Sequence, residues 1–353
     1  MKRKKFIQNI GLLSGALAMG PIARLYGSGS PVGIALKQSE NNDDFWRIVR
    51  EQFIFPDDYI YLNTGGIGAL PTLVINKVVG SMNEQEKFPR PGHDHDNWIE
   101  AKKICAPFFG PQCKAEELAF IGCATEGINI ILNGIGLKKG DEIITSTHEH
   151  PALHVPLLNH HRINQVELKF FEPDRLSAAG NIEKISRLIT AKTRMIFISH
   201  VTCTTGQVFP IREIGELAKQ KGAILAVDGA QAIGNMEVNV KELNVDYYTC
   251  SGHKWLLGPK RTGILYVPSE NLDSLKPTTV GAYSDAGYDI SKLSLKLQDS
   301  AQRYEFGTQN SPLFLGLGAG ARFIDTIGLK KVQAHNRELA EAFYDGLGKI
   351  KGV

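Results

Sequence analysis

The stretch that decides the fold of this protein is DGAQAIGNMEVNVKELNVDYYTCSGHKWLLGPK, from Asp228 to Lys260. Lys254 follows the strand-like run VDYYTCS, where a side chain is expected to be largely buried, and lysine is seldom buried without a reason. Asp228 ends another apolar run, AILAV. Because neighbouring parallel strands end at one edge of a sheet, where α/β proteins bind ligands, we expect Asp228, Gln231, Ser251 and Lys254 to line one site.

Around this stretch, short apolar runs alternate with longer periodic ones. Most of the short runs are almost continuously apolar, as in strands that are buried on both faces of a parallel sheet. Helical runs such as GINIILNGI and IREIGELAKQKG separate them, and Gly222 at the end of the second is a typical C-cap. The pattern predicts an α/β fold with a mainly parallel, mixed seven-stranded sheet flanked by helices. The strand candidates are ELAFIG (117–122), DEIITS (141–146), VELKFF (166–171), TRMIFISHV (193–201), AILAVDGA (223–230), VDYYTCS (245–251) and TGILYV (262–267).

A second chemical signal is GCATEGIN, from Gly122 to Asn129. A strand runs into Thr125, a good N-cap, and an apolar helix follows. The backbone N–H groups of Ala124 and Thr125 then form an anion site at a helix N-terminus. A phosphate cradle, a lysine amine and an opposing carboxylate are the groups that pyridoxal phosphate needs.

These motifs together resemble the class V aminotransferase family of pyridoxal-phosphate enzymes, which have fold type I. DGAQ and SGHKWLLGP resemble it most, and further matches follow in the family's order. The resemblance covers about residues 58 to 353 and is greatest to the isopenicillin N epimerase-like branch. It implies an aspartate aminotransferase-like large domain. The further matches are YLNTGGIGALP (61–71), ATEGIN (124–129), EHPA (149–152), SHVTCTTGQVFP (199–210) and EFGTQN (305–310).

The resemblance implies a role for each matching residue. Lys254 forms the covalent imine with pyridoxal 5'-phosphate, and Asp228 binds the protonated ring nitrogen. Gln231 bonds the ring hydroxyl oxygen, and His150 stacks on the ring. Thr308 reaches the phosphate of a neighbouring subunit, so a homodimer is expected. The phosphate ligands within one subunit are Ala124, Thr125, Ser251 and His253.

The resemblance also implies a reaction at the Cα–amine of an amino acid, by an aminotransferase or an epimerase. One alternative is a cysteine desulfurase or selenocysteine lyase, and another is a degenerate protein that binds the cofactor without catalysis. No cysteine follows Cys250, and neither Arg303 nor Arg322 is a clear ligand for the substrate carboxylate. We therefore expect the C-terminal small domain to be truncated.

Other readings of the polar clusters are weaker. The run HEHPALH (148–154) lacks a ligand pattern for a metal, and HDHD (93–96) is typical of a polar loop, so no metal site is predicted. The five cysteines form no C-x-x-C pair and are expected to be small buried residues. Cys203 stands where many relatives carry asparagine near the ring hydroxyl.

The chain of 353 residues carries a net charge of +3, and four cationic side chains lie within the first five residues. The near-neutral remainder argues against a nucleic-acid surface. Residues 1–30 resemble an export signal of twin-arginine type, with Lys4 in the second arginine position. The apolar part is too short to span a membrane, so no stable insertion is expected. We expect a periplasmic protein, with a cytoplasmic one as the alternative.

The expected organisation beyond the signal has three parts. Residues 31–60 are expected to form an irregular N-terminal arm. Residues 61–310 form the cofactor-binding large domain, and residues 311–353 begin a C-terminal small domain.

Overall fold

The computed structural model describes residues 30–89, 95–174 and 176–352. These residues form two compact units, divided between Glu51 and Gln52. The first unit contains helices α1 (Pro31–Lys37) and α2 (Asn42–Arg50). The prediction of an irregular arm is therefore wrong for these residues. Both helices carry N-caps, since the side chains of Ser30 and Asn41 each accept a hydrogen bond from a backbone N–H in the first turn. The export-like segment lies outside the described residues except for Ser30.

The second unit is built on the predicted seven-stranded sheet. Its strand order is β1-β7-β6-β5-β4-β2-β3. The pairs from β6 to β3 are parallel, whereas β7 is antiparallel to both β1 and β6. The predicted mixed sheet is confirmed, and each of the seven candidate runs forms a strand. The strands are β1 (Leu118–Ile121), β2 (Glu142–Ser146), β3 (Glu167–Phe171), β4 (Thr193–Ser199), β5 (Ile224–Asp228), β6 (Tyr247–Ser251) and β7 (Gly263–Tyr266).

Helices pack against the sheet and against one another. Helix α9 packs against α3 and α4, and is buried along most of its length. Helix α8 ends at Gly222, which has φ +68°, so the predicted C-cap is confirmed. No helix in the described ranges is long and apolar enough to cross a bilayer. The helices are α3 (Thr72–Lys87), α4 (His95–Cys105), α5 (Ala124–Gly134), α6 (Pro151–Asn164), α7 (Gly180–Leu188), α8 (Ile211–Lys221), α9 (Ser311–Ile327) and α10 (Leu329–Leu347).

The central strands bring Asp228 and the Lys254 turn together. Strand β5 is mostly buried and β6 is buried throughout, as expected for strands with neighbours and helices on all sides. The ring of Tyr248 on β6 lies against Gly229, and a Cβ atom at Gly229 would overlap it. The glycine after Asp228 therefore lets the chain turn tightly over β6 at the edge where the two strands end.

Two features differ from the sequence expectations. An exposed two-stranded hairpin, β8 (Asp285–Asp289) with β9 (Ser294–Leu297), was not predicted. His95 and Asp96 begin helix α4 rather than forming part of a loop, while residues 90–94 lie outside the described ranges. The boundary expected at residue 310 between a large and a small domain stays a prediction.

Candidate active site

A cavity of about 730 Å³ lies at the carboxyl ends of β5 and β6. Apart from Thr308, every cofactor-binding or catalytic residue predicted from the sequence lines it. The neighbouring pairing of β5 with β6 explains this convergence, because it ends both strands at one edge. The predicted residues in the cavity wall are Ala124, Thr125, His150, Asp228, Gln231, Ser251, His253 and Lys254.

Lys254 lies in a turn that begins directly after β6, and its side chain is half-buried. The turn is held by a hydrogen bond from the Leu257 N–H to the Lys254 carbonyl. On its other side, Gly68 donates its N–H to the His253 carbonyl at 2.7 Å. A Cβ atom at Gly68 would overlap the Lys254 carbonyl oxygen, so only glycine allows this approach.

Asp228 is the last residue of β5, and it is 4% exposed. Its Oδ1 accepts a hydrogen bond of 2.9 Å from the Ala230 N–H. This is the one hydrogen bond of the Asp228 carboxylate within the described part of the chain. Burial raises the pKa of Asp228, and the charges of Lys254 and His150 oppose that shift. The carboxylate therefore favours a cationic ligand group.

A second buried carboxyl, Glu149, lies behind this site and was not predicted as a site residue. Its oxygens accept hydrogen bonds from the Ser146 hydroxyl at 2.6 Å, from the Ser199 N–H at 2.9 Å and from the Ser199 hydroxyl. Ser199 is the register partner of Asp228 in the sheet. Burial raises the pKa of Glu149 to about 7. A charged Asp228 contributes to that rise, so the two carboxyls are electrostatically coupled.

The predicted phosphate cradle lies at the start of α5. Ala124 donates its N–H to the Ser251 hydroxyl at 3.3 Å, which joins the helix N-terminus to the end of β6. His253 lines the same cavity, and its Nδ1 atom is buried without a hydrogen-bond partner in the described part of the chain. Burial also lowers the pKa of His253. An anion bound here would accept hydrogen bonds from the helix N-terminus and from His253 Nδ1 when that atom is protonated.

His150 lines the same cavity, at the N-terminus of α6. Its Nδ1 accepts a hydrogen bond of 3.0 Å from the Ala152 N–H, so it is the N-cap of the helix. Burial lowers its pKa, and the charge of Lys254 lowers it further. A neutral imidazole with its ring fixed by this cap fits the predicted stacking role.

Gln231 is held between two neighbours. Its Oε1 accepts from the Trp255 indole N–H at 2.8 Å, and its Nε2 donates to the Gly65 carbonyl at 2.9 Å. Asn63, Gly65 and Gly66 also line the cavity, so the glycine-rich run YLNTGGIGALP forms one of its walls. Sequence reasoning identified this run as a loop but assigned it no site residue.

Thr308 and the two arginines lie elsewhere. Thr308 is exposed in the segment before α9, and its predicted contact with a neighbouring subunit stays a prediction. The Arg303 guanidinium is buried and bonds to the carbonyls of Gln298 and Leu272. Arg322 is outside the cavity wall and contacts Asp325. Neither arginine is placed to bind a substrate carboxylate.

The five cysteines differ in burial. Cys105 and Cys250 are buried as expected, Cys113 and Cys123 are half-buried, and Cys203 is exposed. Cys203 and Cys123 both line the cavity. The Cys203 residue is exposed overall, but its thiol is partly desolvated in the cavity wall, which raises the pKa of the thiol despite the charge of Lys254. The expectation of buried structural cysteines is therefore wrong for Cys203.

The cavity residues fit pyridoxal phosphate. The orphaned Nδ1 of His253 and the N-terminus of α5 suit a phosphate, and the half-buried Lys254 amine suits an aldehyde. The buried Asp228 carboxylate, with a single hydrogen bond from Ala230, suits a protonated ring nitrogen.

Comparisons with known proteins agree with this fit. A probable cysteine desulfurase from Pyrococcus abyssi is 31% identical over 255 residues, which is 71% of this chain and 62% of that protein. A mutant of the enzyme C-DES, with glycine covalently linked to its PLP cofactor, has a TM-score of 0.78 at 25% identity and covers 86% of this chain and 80% of that one. C-DES, described as a cystine C–S lyase, was also solved with its product cysteine persulfide, with a TM-score of 0.76 at 25% identity over 84% of this chain and 80% of that one.

These names match the predicted desulfurase alternative better than an aminotransferase or an epimerase, and they do not support the isopenicillin N epimerase-like branch. The chain spans about 62% of the length of the first curated relatives that it matches. The sequence profile of the aminotransferase class-V family matches residues 93–353, well over half of the chain. This protein therefore belongs to the class-V aminotransferase family, and its cofactor is pyridoxal 5'-phosphate.

Proposed function

We propose that this protein cleaves the carbon–sulfur bond of cysteine or of a cysteine derivative such as cystine. One observation carries the proposal: Lys254 and Asp228 meet in one cavity of a chain that is 31% identical to a probable cysteine desulfurase. The likeness to a cystine C–S lyase supports the same bond class. The aminotransferase and epimerase readings have only the motifs in their favour.

Bound pyridoxal phosphate would supply an electron sink for the carbanion that forms at the substrate Cα. Lys254 would hold the cofactor covalently. Its amine would also serve as the general base that takes the proton from the substrate Cα. The tight contact of Gly68 with the Lys254 turn would keep this amine in place.

Asp228 would keep the ring nitrogen charged, because a buried carboxylate beside a cation favours the charged form of both groups. His150 would cover one face of the ring and exclude water from it. Ala124, Thr125, Ser251 and His253 would bind the phosphate. We further propose that Thr308 completes this phosphate site in a neighbouring subunit of a homodimer.

The test is to incubate the cofactor-loaded protein with L-cysteine, and separately with L-cystine. From L-cystine we expect pyruvate, ammonia and cysteine persulfide. From L-cysteine we expect pyruvate, ammonia and sulfide or, with an added thiol that accepts the sulfur, alanine and a persulfide. Lys254→Ala should lower the rate by a factor of at least about 10³, since it removes the general base. The exposed Lys260→Ala, close by in the sequence, serves as the control.

Other outcomes would overturn the proposal. Transfer of the amine to a keto acid without sulfur release would indicate an aminotransferase. Exchange of the Cα proton with solvent and loss of chirality would indicate an epimerase. A visible cofactor band that no amino acid changes would indicate a protein that binds the cofactor without catalysis.

A further inference from the structure

Trp255 follows the lysine directly, and its indole lies against Gln231 in the cavity wall. The Trp255 Nε1–H donates to Gln231 Oε1 at 2.8 Å, and Gln231 Nε2 donates to the Gly65 carbonyl at 2.9 Å. The close packing of Gly65 permits this, since a Cβ atom there would lie 3.0 Å from Gln231 Oε1 and 3.5 Å from Trp255 Cζ2.

These two partners fix the orientation of the Gln231 amide. An indole N–H can only donate a hydrogen bond, and a peptide carbonyl can only accept one. The oxygen of the amide must therefore face Trp255, and its nitrogen must face Gly65. The carbonyl of Gly65 uses one of the two N–H bonds on Nε2. One N–H donor remains on a side chain that lines the cavity.

The remaining donor requires an acceptor, and the other anchors restrict which one. Lys254 would bond the aldehyde carbon, Asp228 would suit the ring nitrogen, and the N-terminus of α5 would suit the phosphate. The polar atom of the cofactor that these three leave without a ligand is the ring oxygen, next to the aldehyde-bearing carbon. That oxygen is anionic when the Lys254 nitrogen bound to the aldehyde carbon is protonated. A group that can only donate a hydrogen bond therefore suits it.

We propose that Trp255 is a positioning residue: by occupying the oxygen of the Gln231 amide, it leaves Gln231 only an N–H to offer to the anionic ring oxygen. The proposal rests on the cofactor and not on the proposed substrate. It holds for any reaction that the site performs, so its test is independent of cysteine cleavage.

The proposed contact has a spectroscopic consequence. Negative charge on the ring oxygen holds a proton on the Lys254 nitrogen, and a donor to that oxygen weakens this hold. In Trp255→Phe only the Gly65 carbonyl still holds the amide. The amide then rotates more easily, and the donor is lost for part of the time. We therefore expect the pH midpoint of the visible cofactor band to rise by about one unit.

The experiment titrates the absorbance of the loaded protein, without substrate, in the wild type, Trp255→Phe, Gln231→Leu and the double variant. Gln231→Leu should raise the midpoint at least as much as Trp255→Phe. The double variant should match Gln231→Leu, because Trp255 acts through Gln231. Trp255→Phe should also weaken cofactor binding about 3- to 10-fold. Trp46→Phe, in the first compact unit, is the matched control and should change neither quantity.

Two results would overturn the proposal. One is an unchanged midpoint in Trp255→Phe, and the other is an equal rise when Trp255 is replaced in the Gln231→Leu background. If Trp255→Phe does not fold, as judged from the melting of the apoprotein, Gln231→Leu still tests the donor that Trp255 orients. It removes the amide without adding a charge, so an unchanged midpoint there would refute the proposal.

Discussion

Two buried carboxylates in this protein have opposite surroundings. Glu305 is 2% exposed and Asp228 is 4% exposed. Glu305 accepts hydrogen bonds from the Phe120 N–H at 2.6 Å and the Trp98 indole at 2.9 Å, and pairs with Lys102 Nζ at 2.7 Å. The Asp228 carboxylate accepts one hydrogen bond within the described part of the chain, from the Ala230 N–H.

The difference separates a structural carboxylate from a functional one. At Glu305 the protein itself supplies every donor and the balancing cation, so nothing is left for a ligand to do. The buried Asp228 carboxylate has one hydrogen-bond donor. Lys254 lies in the same cavity but does not form an ion pair with it. A buried carboxylate that the chain does not satisfy favours a cationic partner from outside.

The largest effect should come from breaking the satisfied pair. Lys102→Met removes the cation and leaves the Glu305 carboxylate buried, so we expect the free energy of unfolding to fall by about 3–5 kcal/mol. Denaturant unfolding measures it. The exposed neighbour Lys103→Met is the matched control and should stay within about 0.5 kcal/mol of the wild type. An equally small loss for Lys102→Met would show that Glu305 does not depend on its partner.

The next largest effect is expected at Glu149, in the pH dependence of the free energy of unfolding. Its pKa is raised by burial from 4.5 to about 7 in the folded protein, so the folded state binds more protons than the unfolded state across this window. The contribution of Glu149 to the free energy of unfolding is then complete below pH 4.5 and is lost as pH rises through about 7, a loss of about 3 kcal/mol. In Glu149→Gln apoprotein this loss should disappear, as unfolding at several pH values would reveal. The exposed Glu167→Gln should keep the wild-type slope, and a parallel slope in Glu149→Gln would contradict the assignment.

The smallest effect on stability, and of opposite sign to that at Lys102, is expected at Asp228. Asp228→Asn keeps the acceptor for Ala230 and removes a charge whose burial is unfavourable, so the apoprotein should gain about 1 kcal/mol. The loaded protein should lose about tenfold in cofactor affinity. Apoprotein unfolding and cofactor titration test the two halves. A destabilised apoprotein would place Asp228 with Glu305 as a structural group.

The sequence was sufficient for the parts whose signals are local. Near-continuous apolar runs identified the seven strands, and strand ends placed Asp228, Ser251 and Lys254 together. The caps at Ser30 and Asn41 were also local signals, and they would have predicted α1 and α2 had they been used. The hairpin β8–β9 was missed because its strands are exposed and show no apolar run.

Other parts depend on contacts that no local pattern reports. Glu305 meets Lys102 across most of the chain, and Gln231 meets Gly65 across 166 residues. The burial of Glu149 depends on Ser199, which the sheet brings beside it. Contacts of this kind depend on the complete fold. The sequence therefore does not show that these residues contact each other.

The approach of Gly68 to the Lys254 carbonyl has a consequence for how the protein matures. The glycine-rich run leaves the ribosome early, but the turn on which it docks is made much later. The cavity wall is therefore complete only after both segments have emerged. A nascent chain that stalls before the lysine turn would contain six of the seven strands but would lack the amine that suits the cofactor aldehyde.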